Sequence, residues 1–199
     1  MKVTSNPSSV HSIANKLCTI ILFRADPKFF SQKNWATKIY KKSGEKPKAP
    51  SFPTLMFVES HQVKGLEDFL SLLKRQEQDP NAALIHGSLT ELGLQEVNAG
   101  KSVRRRYKGE NPCFCDAPKH LHVLDIDGVP LPEEHSIQTF QERELAIQWY
   151  RSTLPEPYRN ADCIYQFSSS AGLSPDRLNC HLWFWLDTAT PLLTVKAWL

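Results

Sequence analysis

Leu121-His122-Val123-Leu124-Asp125-Ile126-Asp127-Gly128 is the stretch on which the reading of this chain turns. Its apolar part, rich in Val, Leu and Ile, favours an extended and buried strand. It closes with two carboxylates one residue apart and then a glycine. Side chains alternate along a strand, so Asp125 and Asp127 share one face and His122 takes the other. Two neighbouring acids repel each other and are costly to bury unless something positive sits between them. A divalent cation fills that role, and hard oxygen ligands suit magnesium or manganese. The competing reading is a solvated strand end running into an Asp-Gly turn.

A second strand signal, the strongest in the chain, is Asn179-Cys180-His181-Leu182-Trp183-Phe184-Trp185-Leu186. Alternation places Asn179, His181, Trp183 and Trp185 on one face and Cys180, Leu182, Phe184 and Leu186 on the other, which reads as core. A strand over 161–167 and the loop Ser168-Ser169-Ser170-Ala171-Gly172 precede it. Three hydroxyls and the backbone freedom of Gly172 allow close approach to an anion, and Arg177 adds a positive charge. An acid pair that holds a metal, a serine-rich loop and a histidine together suit a nucleoside triphosphate. Ser169, Ser170, Arg177 and His181 are the candidate nucleotide contacts.

Together these motifs resemble the archaeo-eukaryotic primase superfamily, in the form found in primase-polymerase domains of plasmids, phages and integrative elements. Leu121 to Asp127 matches that family's strand with an Asp-x-Asp pair. Tyr165 to Gly172, continued by Asn179-Cys180-His181, matches its small-x-His motif, with Asn179 at the small position. The likeness is specific over about 121–186 and weak over 1–115. It implies that Asp125 and Asp127 hold magnesium or manganese for nucleotidyl transfer, and that His181 contacts the triphosphate of the incoming nucleotide. It further implies a primer-making enzyme for mobile-element replication, acting on a single-stranded DNA template and working with a helicase domain or protein. The fold implied is mixed α/β (α+β): a primase-polymerase catalytic domain with an RNA-recognition-like sheet over 116–199 and an N-terminal α/β accessory unit with basic loops over 1–115. The family's third acid lies on a later strand. Asp187 has the parity of His181 but lies six residues on, about 20 Å along a strand, so the chain is expected to be truncated ahead of that acid.

At 199 residues, 41% hydrophobic and 23% charged, the composition is that of an ordinary globular chain. No apolar run approaches the roughly 20 residues needed to span a bilayer, and the run Leu17 to Phe23 lacks a signal cleavage site, so a cytoplasmic location is expected. Five cysteines at irregular spacing do not suggest a disulfide framework. Cys113, Cys115, His120 and His122 do not follow a common zinc spacing and read as a loop with free thiols. The net charge of +3 is unevenly spread. Lys33, Lys38, Lys41, Lys42, Lys46 and Lys48 form one cluster, near Trp35 and Tyr40. Lys101, Arg104, Arg105, Arg106 and Lys108 form another beside Tyr107. Both suit solvated loops, and equally a track for a phosphate backbone.

Elsewhere, residues 1–16 read as polar and loosely ordered, 18–24 and 54–58 as strands, 27–50 as an exposed connection and 65–77 as a helix. A short strand is expected at 82–86, followed by polar and basic residues to about 110. A helix is expected over 136–152, capped by Ser136, with Ile137, Phe140, Ile147 and Tyr150 on its buried side. Pro155 and Pro157 end it, and the last eight residues open another helix. Two other functions fit parts of this pattern. Asp125 to Val129 also resembles the nucleophile motif of haloacid-dehalogenase-type phosphatases, with Ser168 and Lys196 in supporting roles and no late acid pair. A non-catalytic module could instead bind single-stranded nucleic acid through the basic clusters, Trp183 and Trp185.

Overall fold

The computed structural model describes residues 2–4, 17–25, 55–79, 82–104, 110–168, 171 and 174–199. In chain order its elements are β1 (Lys2–Thr4), β2 (Cys18–Ala25), β3 (Leu55–Val63), α1 (Leu66–Gln76), β4 (Ala82–Ile85), β5 (Ser88–Leu89) and α2 (Glu91–Asn98). They continue with β6 (Val103–Arg104), β7 (Phe114–Cys115), β8 (Lys119–Pro130), α3 (Phe140–Thr153), α4 (Glu156–Arg159), β9 (Cys163–Phe167), β10 (Arg177–Thr190) and α5 (Leu192–Trp198). The class is mixed α+β with antiparallel sheets. The described residues fall into two units, one within Met1–Cys18, Lys64–Leu70 and Pro118–Leu199, the other within Thr19–Val63 and Ser71–Ala117.

In the first unit the strands lie in the order β1-β9-β10-β8, with all three pairings antiparallel. Because β8 and β9 both run against β10, they are parallel to each other with β10 between them. The chain leaves β8, crosses through α3 and α4, enters β9 and returns as β10, a split βαβ arrangement. One face of the sheet is the core: Leu178, Cys180, Leu182 and Phe184 of β10 meet Ile126, Cys163 and Tyr165, closed by Ala146 and Ile147 of α3 and Val195 of α5. Each large apolar side chain taken from water here contributes about 1.5–3 kcal/mol. On the other face Trp183 packs against Phe69 of α1, ring centroids 4.8 Å apart.

The helix after β8 starts later than its sequence suggests. Thr139, not Ser136, caps α3: its side chain accepts from the Glu142 N–H while the Glu142 carboxylate accepts from the Thr139 N–H. This reciprocal capping box satisfies two backbone donors and outcompetes Ser136, whose hydroxyl accepts from the Gln138 N–H, outside the helix. Phe140 therefore falls in the first helical turn facing water, 57% exposed, whereas Ile137 is buried ahead of the helix. The start of the chain also departs from expectation, since Lys2–Thr4 pairs with β9. Residues 5–16 and the connection over 27–50 lie outside the described residues.

In the second unit the order is β4-β2-β3-β6, with β5 and β7 as a separate ribbon. Ile21, Met56, Ile85, Val103, Cys113 and Phe114 form its core. Here α2 stands in a stretch that reads as polar and basic. Thr90 accepts from the Gly93 N–H and donates from its hydroxyl to the Pro112 carbonyl. A Cβ at Gly93 would sit 2.3 Å from the Cys113 carbonyl oxygen, so only glycine lets the helix approach β7 this closely.

Candidate active site

Register brings the two motifs of the first unit together. Asp125 of β8 and His181 of β10 are direct cross-strand partners, and His181 Nε2 lies 3.2 Å from Asp125 Oδ1. The carboxylate is 75% exposed and the imidazole 34% exposed, so this pair sits at the surface of the sheet face opposite the core. The other ring nitrogen, Nδ1, is buried and has no hydrogen-bond partner among the described residues, so Nε2, which faces Asp125, is the ring nitrogen on the exposed side. Asp127 is exposed too. Ile126 between the two acids is buried in the core, as alternation requires.

Beyond Ile126 the ladder changes. Cys180 pairs with Ile126 and Leu178 with Val129, so Asp127 and Gly128 together stand opposite the single residue Asn179. This is a β-bulge, and Gly128 adopts φ +70° in it. The Gly128 N–H donates to Asn179 Oδ1 at 2.8 Å, and Arg177 Nη1 donates to the Gly128 carbonyl at 2.8 Å. Arg177 is thereby tied to the backbone of the residue that follows Asp127. Ser168 opens the serine-rich loop, and its N–H donates to the Asn179 carbonyl at 3.1 Å. Ser169, Ser170 and Gly172 lie outside the described residues.

Behind this face the chemistry is closed. Burial, and then the neighbouring Cys163 and Asp125, push the Cys180 thiol up to about 12. It is a protonated core residue and not a nucleophile at neutral pH. Burial likewise raises Tyr165 to about 12, helped by the charge of Glu144, to which its hydroxyl donates at 3.2 Å.

Of the zinc-like residues, Cys113 is buried in the core of the second unit and the other three make bonds of their own. His122 is fully buried with Nε2 2.9 Å from the Lys119 carbonyl, and His120 Nδ1 lies 2.8 Å from the Leu186 carbonyl. Cys115 donates to the Ser88 carbonyl at 3.7 Å. Among the described residues no group of three or more His, Cys, Asp and Glu is gathered as a metal cluster. Two exposed carboxylates still fit magnesium or manganese, because such ions keep several waters and complete their shell with substrate phosphates.

Of the basic residues, Lys101 is exposed and pairs with Glu96 at 3.4 Å, and Arg104 lies exposed on β6 opposite Leu55. Arg105, Arg106, Tyr107, Lys108, Trp35, Tyr40 and the lysines of 33–48 lie outside the described residues. Trp185 stacks on His120 at 5.7 Å and 10°. Asp187 sits in a second irregularity, where β10 runs from Trp185 opposite Leu121 to Thr190 opposite Lys119. That is the end of β10 away from Asp127.

No family, curated protein or solved structure matches the chain. Among the described residues no helix is long and apolar enough to cross a membrane.

Proposed function

We propose that the face carrying Asp125, Asp127 and His181 binds a divalent cation together with a nucleoside triphosphate. On this reading the protein is a primase-polymerase-type nucleotidyltransferase that makes primers on single-stranded DNA. The observation that carries the proposal is the cross-strand pairing of Asp125 with His181 on an exposed sheet face, with Asp127 one alternation further along. The split βαβ order of β8, β9 and β10 agrees with the RNA-recognition-like sheet that the sequence resemblance implies.

Asp125 and Asp127 would hold the cation, magnesium or manganese, which when bound supplies positive charge to phosphate oxygens. His181 would offer Nε2 to the triphosphate. Arg177 would add a second cation at the Gly128 end of the site. Lys101 and Arg104, with the basic residues that follow them in sequence, would track the template backbone. A helicase partner remains part of the proposal through the resemblance alone.

The test is manganese-dependent binding of a nucleoside triphosphate, followed by primer synthesis on a single-stranded DNA template. The native chain is compared with Asp125→Ala and His181→Ala. Binding that requires the metal and is lost in both variants supports the site. A folded native chain that binds no nucleotide with manganese present defeats it.

A further inference from the structure

The bulge at Asp127–Gly128 decides where the second carboxylate points. In a regular strand Val129 would share a face with Asp125 and Asp127. Instead Val129 pairs with Leu178 and packs on the core, as Ile126 does three residues earlier. Two residues opposite one reset the alternation. Asp127 can therefore stay on the exposed face while the strand beyond it turns inward. Such a bulge leaves backbone groups without ladder partners, and here side chains of β10 supply them. Asn179 accepts from the Gly128 N–H and Arg177 donates to its carbonyl. Arg177 does so from an exposed position and Asn179 from a site only 7% exposed. Water competes less with the second bond, so Asn179 carries the larger share. Its main-chain carbonyl accepts from the Ser168 N–H, a bond that any residue at this position would make, so the role particular to asparagine is the bond to Gly128.

We infer that Asn179 is a positioning residue: by holding the bulge through its side chain it sets the placement of Asp127 relative to Asp125. The inference rests on the nucleotide-site reading for its functional meaning. Its geometric content stands on the hydrogen bond alone.

The test uses the full chain with Asn179→Leu, which removes the acceptor at similar volume, and Asn179→Asp, which keeps an oxygen in the same place. Two quantities are read: hydrogen exchange of the Gly128 amide, and affinity for manganese alone. Asn179→Leu is expected to speed Gly128 exchange about tenfold and to weaken manganese binding about tenfold or more. The amides of Leu182 and Phe184 should be left at their native rates. Asn179→Asp is expected to restore Gly128 protection and to bind manganese at least as well as the native chain, because its added charge attracts the cation. Unchanged Gly128 exchange in Asn179→Leu overturns the inference. So does acceleration shared equally by Leu182 and Phe184, which would mark a general loss of stability. A native chain that binds no manganese removes the metal-site reading, and Gly128 exchange still decides whether Asn179 holds the bulge.

Discussion

Replacing Gly128 by alanine isolates the backbone strain at the site from any crowding. A Cβ at this position would have Arg177 Nη1 as its nearest neighbour at 3.8 Å, an ordinary contact, so sterics add almost nothing. What remains is φ +70°, a left-handed conformation that costs an L-residue about 1–2 kcal/mol. Alanine recovers about 0.4–1 kcal/mol by restricting the unfolded chain. The net loss is about 1 kcal/mol, a fall in Tm of about 2–4 °C for a chain of this length. Asparagine tolerates the left-handed region better, so Gly128→Asn should lose less than Gly128→Ala. Thermal unfolding followed by circular dichroism, with urea titration alongside, measures both. If Gly128→Ala melts at or above the native temperature, the bulge does not hold Gly128 left-handed. If Gly128→Asn is the worse of the two, space and not φ governs the position.

Three further outcomes are expected. Asp125→Ala and His181→Ala should each weaken manganese-dependent nucleotide binding at least about tenfold, with little change in urea midpoint for Asp125→Ala, whose carboxylate is 75% exposed; native-like binding in either removes that residue from the site. Thr139→Ala should cost about 1 kcal/mol through loss of the capping box, whereas Ser136→Ala should stay within about 0.5 kcal/mol, and urea unfolding of the pair distinguishes the two helix starts. Cys180 has its folded pKa raised from 9.0 to about 12, so its contribution to stability is complete below pH 9 and is lost as pH rises toward 12. The slope from this thiol is about 1.4 kcal/mol per pH unit. Urea midpoints between pH 8 and 10.5 should fall more steeply for the native chain than for Cys180→Val, and a Cys180 thiol that reacts readily with a maleimide in the folded protein at pH 8 would contradict its burial.

Alternation alone was enough to put Asp125 and Asp127 on one face, His122 on the other, and Cys180, Leu182 and Phe184 in the core. Each of those placements depends on one strand by itself. Which strands are neighbours depends on the whole chain, so the pairing of Asp125 with His181 could be expected only through the family resemblance. The bulge was further out of reach. Asp127-Gly128 reads locally as a turn pair, and it becomes a bulge only because Asn179 meets it across the ladder. The same asparagine looks like a departure from a small-residue motif when read in its own strand. The start of α3 was legible and misread, since Thr139-x-x-Glu142 is a stronger signal than Ser136. For α2 the signal was weaker: Thr90 and Glu91 mark a start, but Gly93 argues against a helix until the Cys113 carbonyl beside it is known.

Among the described residues β8 has a strand neighbour on one side only, and it is twelve residues long. Such a border is a template on which another chain can extend the sheet. The residues assigned to the site oppose this. If two copies met β8 to β8 in antiparallel register about Ile126, Asp125 of one would stand opposite Asp127 of the other, and facing like charges destabilise a pair. The bulge bends the strand as well, and so spoils its fit to a straight partner. In that register the acid pair would also act as a guard against sheet-to-sheet association. Removing both carboxylates would then change the state of assembly along with the chemistry, and a double variant has to be compared with the native chain at matched oligomeric state.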